Sequence, residues 1–118
     1  MYYNTTRESY QDLKNTKTQI TTYMSAISDF FKAVTNLDSA VDLVSFMQDI
    51  LTPQELEELA LRWQIVRLLD AGIPQREIAA QLKCSVTTVS RGSRQLKYGF
   101  GGFEKALLKS RVKSKMKV

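Results

Sequence analysis

Residues 85–97, SVTTVSRGSRQLK, combine short hydroxyl side chains at the start with basic side chains towards the end. Hydroxyl groups can reach phosphates or base edges without filling a DNA groove, and the methyl group of threonine suits thymine. Gly92 lies in the middle of this segment, although glycine inside a helix costs about 1 kcal/mol relative to alanine. The segment is therefore a candidate nucleic-acid contact with a further demand at its glycine.

The composition offers little to an enzyme or to a metal site. The chain has no histidine, which is the commonest general base, and its single cysteine, Cys84, excludes an internal disulfide. We therefore expect a protein that is not an enzyme, holds no metal and works in the reducing cytoplasm. We also expect no membrane span, since no apolar run reaches about 18 residues.

The net charge of +5 is unevenly distributed along the chain. Residues 1–71 contain 6 basic and 10 acidic residues, whereas residues 72–118 contain 11 basic and 2 acidic residues. A basic half of this kind indicates a surface that faces a polyanion. We place nucleic acid ahead of a membrane surface, because the basic half also contains a specific helical pattern.

The pattern of apolar residues predicts an all-α chain without strands. We expect a flexible polar arm over 1–22, a helical DNA-binding and dimerisation domain over 23–113, and a basic tail over 114–118. A second helix over about 39–50 can be capped by Asp38 or Ser39. Thr52-Pro53-Gln54-Glu55 predicts the start of a third helix with a capping box, which Gly72 ends.

The second and third predicted helices are apolar on more than one face. A helix that is apolar over most of its circumference must be covered on most sides. One chain of 118 residues has few elements with which to cover two such helices. We therefore predict an interwoven homodimer, in which a second chain supplies the missing cover.

Residues 74–97 match a helix-turn-helix, with a short helix to about 82, a tight turn at Lys83-Cys84 and a second helix that Ser85 caps. Such a pair presents its second helix to the DNA major groove. Lys83 stands at the turn position that usually holds glycine, so we expect a differently shaped turn and a phosphate contact from the lysine. The predicted DNA contacts are Arg76, Lys83, Ser85, Val86, Thr87, Thr88, Ser90, Arg94 and Lys97. The alternative is a helical protein-interaction module with a solvated basic half.

Residues 51–97 resemble the tryptophan repressor family, and weaker similarity extends over roughly 27–112. The resemblance lies in LTP at 51–53, in Arg62-x-x-Ile65-Val66, in QRE at 75–77 and in TVSRGS at 88–93. It implies an intertwined homodimer of six helices per chain. It also implies a repressor that binds a roughly palindromic double-stranded operator, with one recognition helix in each of two successive major grooves.

The family uses L-tryptophan as a corepressor, and the resemblance implies a site for it here. Arg62 would lie against the indole ring, Arg91 would take its other face and the carboxylate, and Gly92 would leave room for the ring. Val66 would line the same site, and Thr52 of the other subunit would lie near the ammonium group.

Gln95 stands where the family has a serine, and the longer side chain would narrow this site. The residues that follow, YGFGG at 98–102, look more like a Trp-repressor-like subgroup. The resemblance therefore leaves an alternative, which is a DNA-binding protein of the same fold that senses no tryptophan.

Overall fold

The computed structural model describes residues 10–116, which form six helices and no strand. Their order confirms the predicted all-α class. No helix in this part of the chain is long and apolar enough to cross a membrane. The first two helices form one compact unit and the last four form another. The helices are α1 (Tyr10–Thr35), α2 (Ala40–Ile50), α3 (Pro53–Asp70), α4 (Gln75–Leu82), α5 (Val86–Tyr98) and α6 (Gly102–Met116).

The unit formed by α1 and α2 leaves much of its apolar surface uncovered. The ring of Phe30 lies 5.4 Å from that of Phe31 and 5.9 Å from that of Phe46, measured between centroids. No residue of α2 is buried, and Val41 is 74 % exposed. The N–H of Asp42 donates to the side-chain oxygen of Ser39 at 3.1 Å, so Ser39 caps α2.

The first helix begins earlier than the sequence pattern indicates. The predicted flexible arm over 1–22 is wrong over residues 10–22, which are helical, while residues 1–9 lie outside the described part. Threonine costs less than about 0.7 kcal/mol in a helix, and no glycine or proline interrupts the segment. Similarly, α6 runs to Met116, past the predicted domain end at 113 and into the predicted basic tail over 114–118. Residues 117–118 of that tail lie outside the described residues.

The predicted capping box at the start of α3 is present. Thr52 Oγ1 accepts the N–H of Glu55 at 3.1 Å, and Glu55 Oε1 accepts the N–H of Thr52 at 2.8 Å. Pro53 occupies the first turn, where its missing N–H costs nothing. The hydrogen bond from the Thr52 backbone, with a further one to its side chain, lowers the pKa of the Glu55 carboxyl below its usual value.

The core of the second unit lies where α3, α4 and α5 meet. Ile65 of α3, Ile78 and Ala79 of α4, and Val89 of α5 are buried together. Leu107 of α6 is buried as well. The two helices of the helix-turn-helix therefore pack closely, as the small side chain of Ala79 and the apolar spacing of α5 predict.

The turn between α4 and α5 is formed by a lysine in the left-handed conformation. Lys83 has φ 56° and ψ 44°, and the backbone N–H groups of Lys83 and Cys84 both donate to the carbonyl oxygen of Ala79. The expectation of a differently shaped turn is therefore wrong. Lysine adopts the conformation that glycine usually supplies, because these hydrogen bonds and the packing of α4 on α5 offset its steric cost of about 1–2 kcal/mol.

Candidate nucleic-acid interface and adjoining cleft

The start of α5 is fixed by side-chain hydrogen bonds. Ser85 Oγ accepts the N–H of Thr88 at 3.1 Å and lies 2.8 Å from Thr88 Oγ1. The cap satisfies one of the free donors at the helix start. The hydroxyl-rich first turn of α5 therefore has a defined geometry before any partner binds.

One face of α5 is polar, basic and exposed. Thr87, Ser90, Arg94 and Lys97 are spaced three, four and three residues apart, which places them along one side of the helix. All four are exposed to solvent. With Arg76 of α4 they form what we call the basic face, which is suited to a phosphate backbone.

Eight of the nine predicted DNA contacts are exposed, and the structure places the ninth differently. Thr88 is only partly exposed and lines a cleft on another side of α5. The eight exposed residues are Arg76, Lys83, Ser85, Val86, Thr87, Ser90, Arg94 and Lys97.

Ser90 has a partner that the sequence analysis did not identify. Its hydroxyl donates to Gln75 Oε1 at 2.7 Å, which joins the first residue of α4 to the middle of α5. The two residues are 15 positions apart, so no local periodicity signals this hydrogen bond. The pairing depends on how the two helices pack.

A cleft of about 690 Å³ opens between α3, α5 and α6. Arg62 and Val66 of α3 line it, as do Arg91, Gly92 and Gln95 of α5. The structure thus brings together five of the six residues that the resemblance assigns to ligand binding. The sixth, Thr52, belongs to the capping box in its own chain, and the resemblance places it at the ligand only from the other subunit.

Two further residues of the cleft were missed by the sequence analysis. Glu58 lies one helical turn before Arg62 and contributes a carboxylate to the cleft. The spacing of four residues between Glu58 and Arg62 could have indicated that both lie on the same side of α3. Among the side chains that the structure describes, no ion pair joins Glu58 to Arg62 or Arg91. Phe103 of α6 contributes an aromatic wall, and its ring centroid lies 6.3 Å from that of Trp63. No sequence signal places Phe103 there, because its position depends on how α6 packs on α3.

The glycine of α5 has a structural role besides its place in the cleft. A Cβ atom at position 92 would lie 2.8 Å from the Cγ2 methyl of Ile65. The resemblance implies room for a ligand ring at Gly92. The structure adds that α5 can approach α3 this closely only without a side chain there.

The chain is similar to known proteins over much of its length. The chain matches the sequence profile described as Trp repressor protein over residues 25–111. It is 49 % identical over 53 residues to a Trp operon repressor homolog of Actinobacillus succinogenes, which covers 44 % of this chain and 52 % of that relative. The match thus spans about half the length of that relative.

Other matches cover a larger share of the chain. The chain is 31 % identical over 81 residues to the uncharacterized protein YerC of Bacillus subtilis, covering 69 % of this chain and 78 % of that protein. It is similar to the crystal structure of a TrpR like protein from Eubacterium eligens, with a TM-score of 0.68 and 26 % identity. That similarity covers 72 % of this chain and 88 % of the other.

Proposed function

Because the chain belongs to the Trp repressor protein family, we propose that it is a sequence-specific DNA-binding transcriptional repressor rather than an enzyme. The observation that carries this proposal is the exposed basic face, which lies on two helices, α4 and α5, that pack together through the buried residues Ile78, Ala79 and Val89. An α-helix fits the major groove, and residues at its start reach the base edges. The proposal places the protein in the cytoplasm, together with the DNA.

We include in this proposal that the protein acts as a homodimer. The support comes from the unit of α1 and α2, in which α2 has no buried residue and Tyr23, Met24 and Phe31 of α1 are more than half exposed. A second copy of the chain would remove this apolar surface from water. Two recognition helices related by a two-fold axis then suit a roughly palindromic operator with half-sites about one helical turn apart.

We also propose that the cleft binds L-tryptophan as a corepressor. Guanidinium groups such as those of Arg62 and Arg91 stack on indole rings and bind carboxylates in a fork. Arg91, Gly92 and Gln95 belong to the same helix as Thr87 and Ser90, so a ligand in the cleft would contact the helix that faces DNA. A bound ligand would therefore favour one position of α5.

A second candidate function has the same fold and DNA binding without tryptophan sensing. Gln95 and Phe103 both line the cleft, and the side chains of both are large. Both occupy space beside Arg91 and Gly92 that a ligand ring would otherwise use, which favours this second candidate. Isothermal titration with L-tryptophan separates the two candidates, since the second one predicts no heat of binding at millimolar ligand.

The experiment that tests DNA recognition is a selection of bound duplexes from random sequence, run with and without L-tryptophan. We expect an enriched, roughly palindromic site, which binds about a thousandfold or more tightly than scrambled DNA. Arg76→Ala should weaken binding to all sequences, and Thr87→Ala should change the preferred sequence. Recovery of no preferred sequence under either condition would contradict the proposal.

Light scattering tests the oligomeric state independently. We expect the mass of two chains at low micromolar concentration. A mass of one chain would contradict the homodimer without bearing on whether α4 and α5 recognise DNA.

A further inference from the structure

The hydrogen bond between Ser90 and Gln75 links the two helices of the candidate DNA interface. Ser90 Oγ donates to Gln75 Oε1 at 2.7 Å. Among the side-chain hydrogen bonds within the described part of α3–α6, this one alone joins two helices. Gln75 is partly buried, whereas Ser90 is exposed on the basic face. The bond therefore lies at the edge of the surface that would meet DNA.

The chemistry of the two groups determines what each can still offer to a ligand. A serine hydroxyl has one proton to donate, and here that proton goes to Gln75. A primary amide has an acceptor oxygen and two N–H donors. Once the oxygen is used by Ser90, the nitrogen of Gln75 keeps both of its donors. Phosphate oxygens only accept hydrogen bonds, so Gln75 Nε2 replaces the Ser90 hydroxyl as the available donor.

The surroundings of this amide favour an anionic partner. Gln75 is followed by the exposed Arg76, and Ser90 is followed one helical turn later by the exposed Arg94. Cations thus follow the bonded pair on both helices, and a neutral donor near them is well placed to bind a phosphate that the cations attract.

We propose that Gln75 binds a DNA phosphate through its amide nitrogen and that its hydrogen bond to Ser90 fixes the position of α5 relative to α4. This inference rests on the proposed function. It changes the role of Ser90 from a DNA contact to a positioning residue. Thr87 lies three residues before Ser90 on the same face of α5. If α5 shifted when the Ser90 hydrogen bond was lost, Thr87 and the other side chains that would meet the bases would therefore move with it.

The variant Gln75→Glu tests the phosphate contact. Glutamate keeps an oxygen that accepts the Ser90 proton, but it replaces the amide donor by a carboxylate that phosphate repels. We expect binding to selected and to scrambled DNA to weaken by a similar factor, about tenfold or more. The variant should fold, since an acidic residue is favourable in the first turn of a helix. Gln81→Glu is the matched control, because Gln81 is exposed on the same helix and gains the same charge.

The variant Ser90→Ala tests the positioning role. It removes the hydrogen bond and leaves the amide of Gln75 in place. We expect binding to scrambled DNA to change less than about threefold, whereas the preference for selected over scrambled DNA falls about tenfold. A purely structural role would lower the melting temperature and leave this ratio unchanged.

Two results would overturn the inference. The first is binding by Gln75→Glu that equals binding by the Gln81→Glu control, and the second is an unchanged sequence preference in Ser90→Ala. If the unaltered protein binds both kinds of DNA equally or not at all, the proposed function fails and this inference fails with it. If the unaltered protein discriminates and these variants behave like it, only the inference fails.

Discussion

Gly92 on α5 lies so close to Ile65 on α3 that a Cβ atom at position 92 would be 2.8 Å from the Cγ2 methyl of Ile65. Ile65 is 1 % exposed and its methyl branches from Cβ, so it cannot move aside as the end of a flexible side chain would. The glycine is therefore required by helix packing, whether or not a ligand occupies the cleft.

Gly92→Ala should destabilise the fold. Overpacking in a core costs about 1–3 kcal/mol, and the better helix propensity of alanine returns about 1 kcal/mol. We expect a net loss of about 1 kcal/mol in the free energy of unfolding, measured by urea denaturation.

The partner variant Ile65→Leu identifies the contact. Leucine has nearly the same volume but branches at Cγ instead of Cβ, so the clashing methyl moves away. In this background Gly92→Ala should cost less by about 1 kcal/mol. Strictly additive effects of the two substitutions would contradict the contact.

Lys83→Gly should stabilise the fold, because Lys83 has φ 56° and glycine adopts this conformation without steric cost. We expect the free energy of unfolding, measured by thermal denaturation, to rise by about 1 kcal/mol. If Lys83 also contacts a phosphate, as its sequence position predicts, the slope of log affinity against log salt should fall by about 1.

Lys83→Ala is the control that separates these two effects. Alanine removes the charge but keeps the steric cost of the left-handed conformation. It should therefore reproduce the change in salt slope without the gain in stability. An equal gain for alanine would show that the charge, and not the backbone conformation, limits stability.

The features that were predicted best from the sequence are helix caps, which depend on residues close to each other along the chain. The start of α3 was predicted correctly because Thr52 and Glu55 bond to each other's backbone across three residues. The cap of α2 also spans only three residues, since the side chain of Ser39 accepts the N–H of Asp42. Signals of this kind are complete within one helical turn, so they need no knowledge of tertiary packing.

Features that depend on packing between helices could not be predicted from the sequence. The hydrogen bond from Ser90 to Gln75 and the place of Phe103 in the cleft both follow from how separate helices meet. The start of α1 was missed for another reason. Hydroxyl-rich segments favour caps and turns on propensity alone, yet their cost within a long helix is small.

Gln95→Ser should raise the affinity for L-tryptophan if Gln95 narrows the cleft. The shorter side chain would leave space beside Arg91 and Gly92. We expect a tenfold or smaller gain, about 1 kcal/mol, in isothermal titration, as for one or two methylene groups in an apolar pocket. Arg91→Ala should abolish the heat of binding, since it removes the fork for the carboxylate. Equal affinity of Gln95→Ser and the unaltered protein would show that Gln95 does not limit the site.

The capping box should make the stability of α3 depend on pH. The pKa of Glu55 is lowered from a usual value of 4.5 by its hydrogen bonds to Thr52, so folding favours the charged carboxylate. This contribution is fully present above pH 4.5 and is lost as the pH falls through the lowered pKa of the folded state. Thr52→Ala removes the side-chain acceptor of the Glu55 N–H but keeps the backbone N–H that donates to Glu55 Oε1. It should therefore lower the free energy of unfolding by about 1 kcal/mol and leave most of the pH dependence in place.

Glu55→Gln tests the same linkage from the other side of the box. Glutamine keeps an oxygen that accepts the Thr52 N–H but does not titrate, so its melting temperature should fall less than that of the unaltered protein between pH 5 and pH 3. Glu57→Gln, on the exposed side of the same helix, is the control. Because Glu57 does not belong to the box, this change should leave the pH dependence close to that of the unaltered protein. Equal pH profiles for Glu55→Gln and Glu57→Gln would show that the box does not carry the linkage.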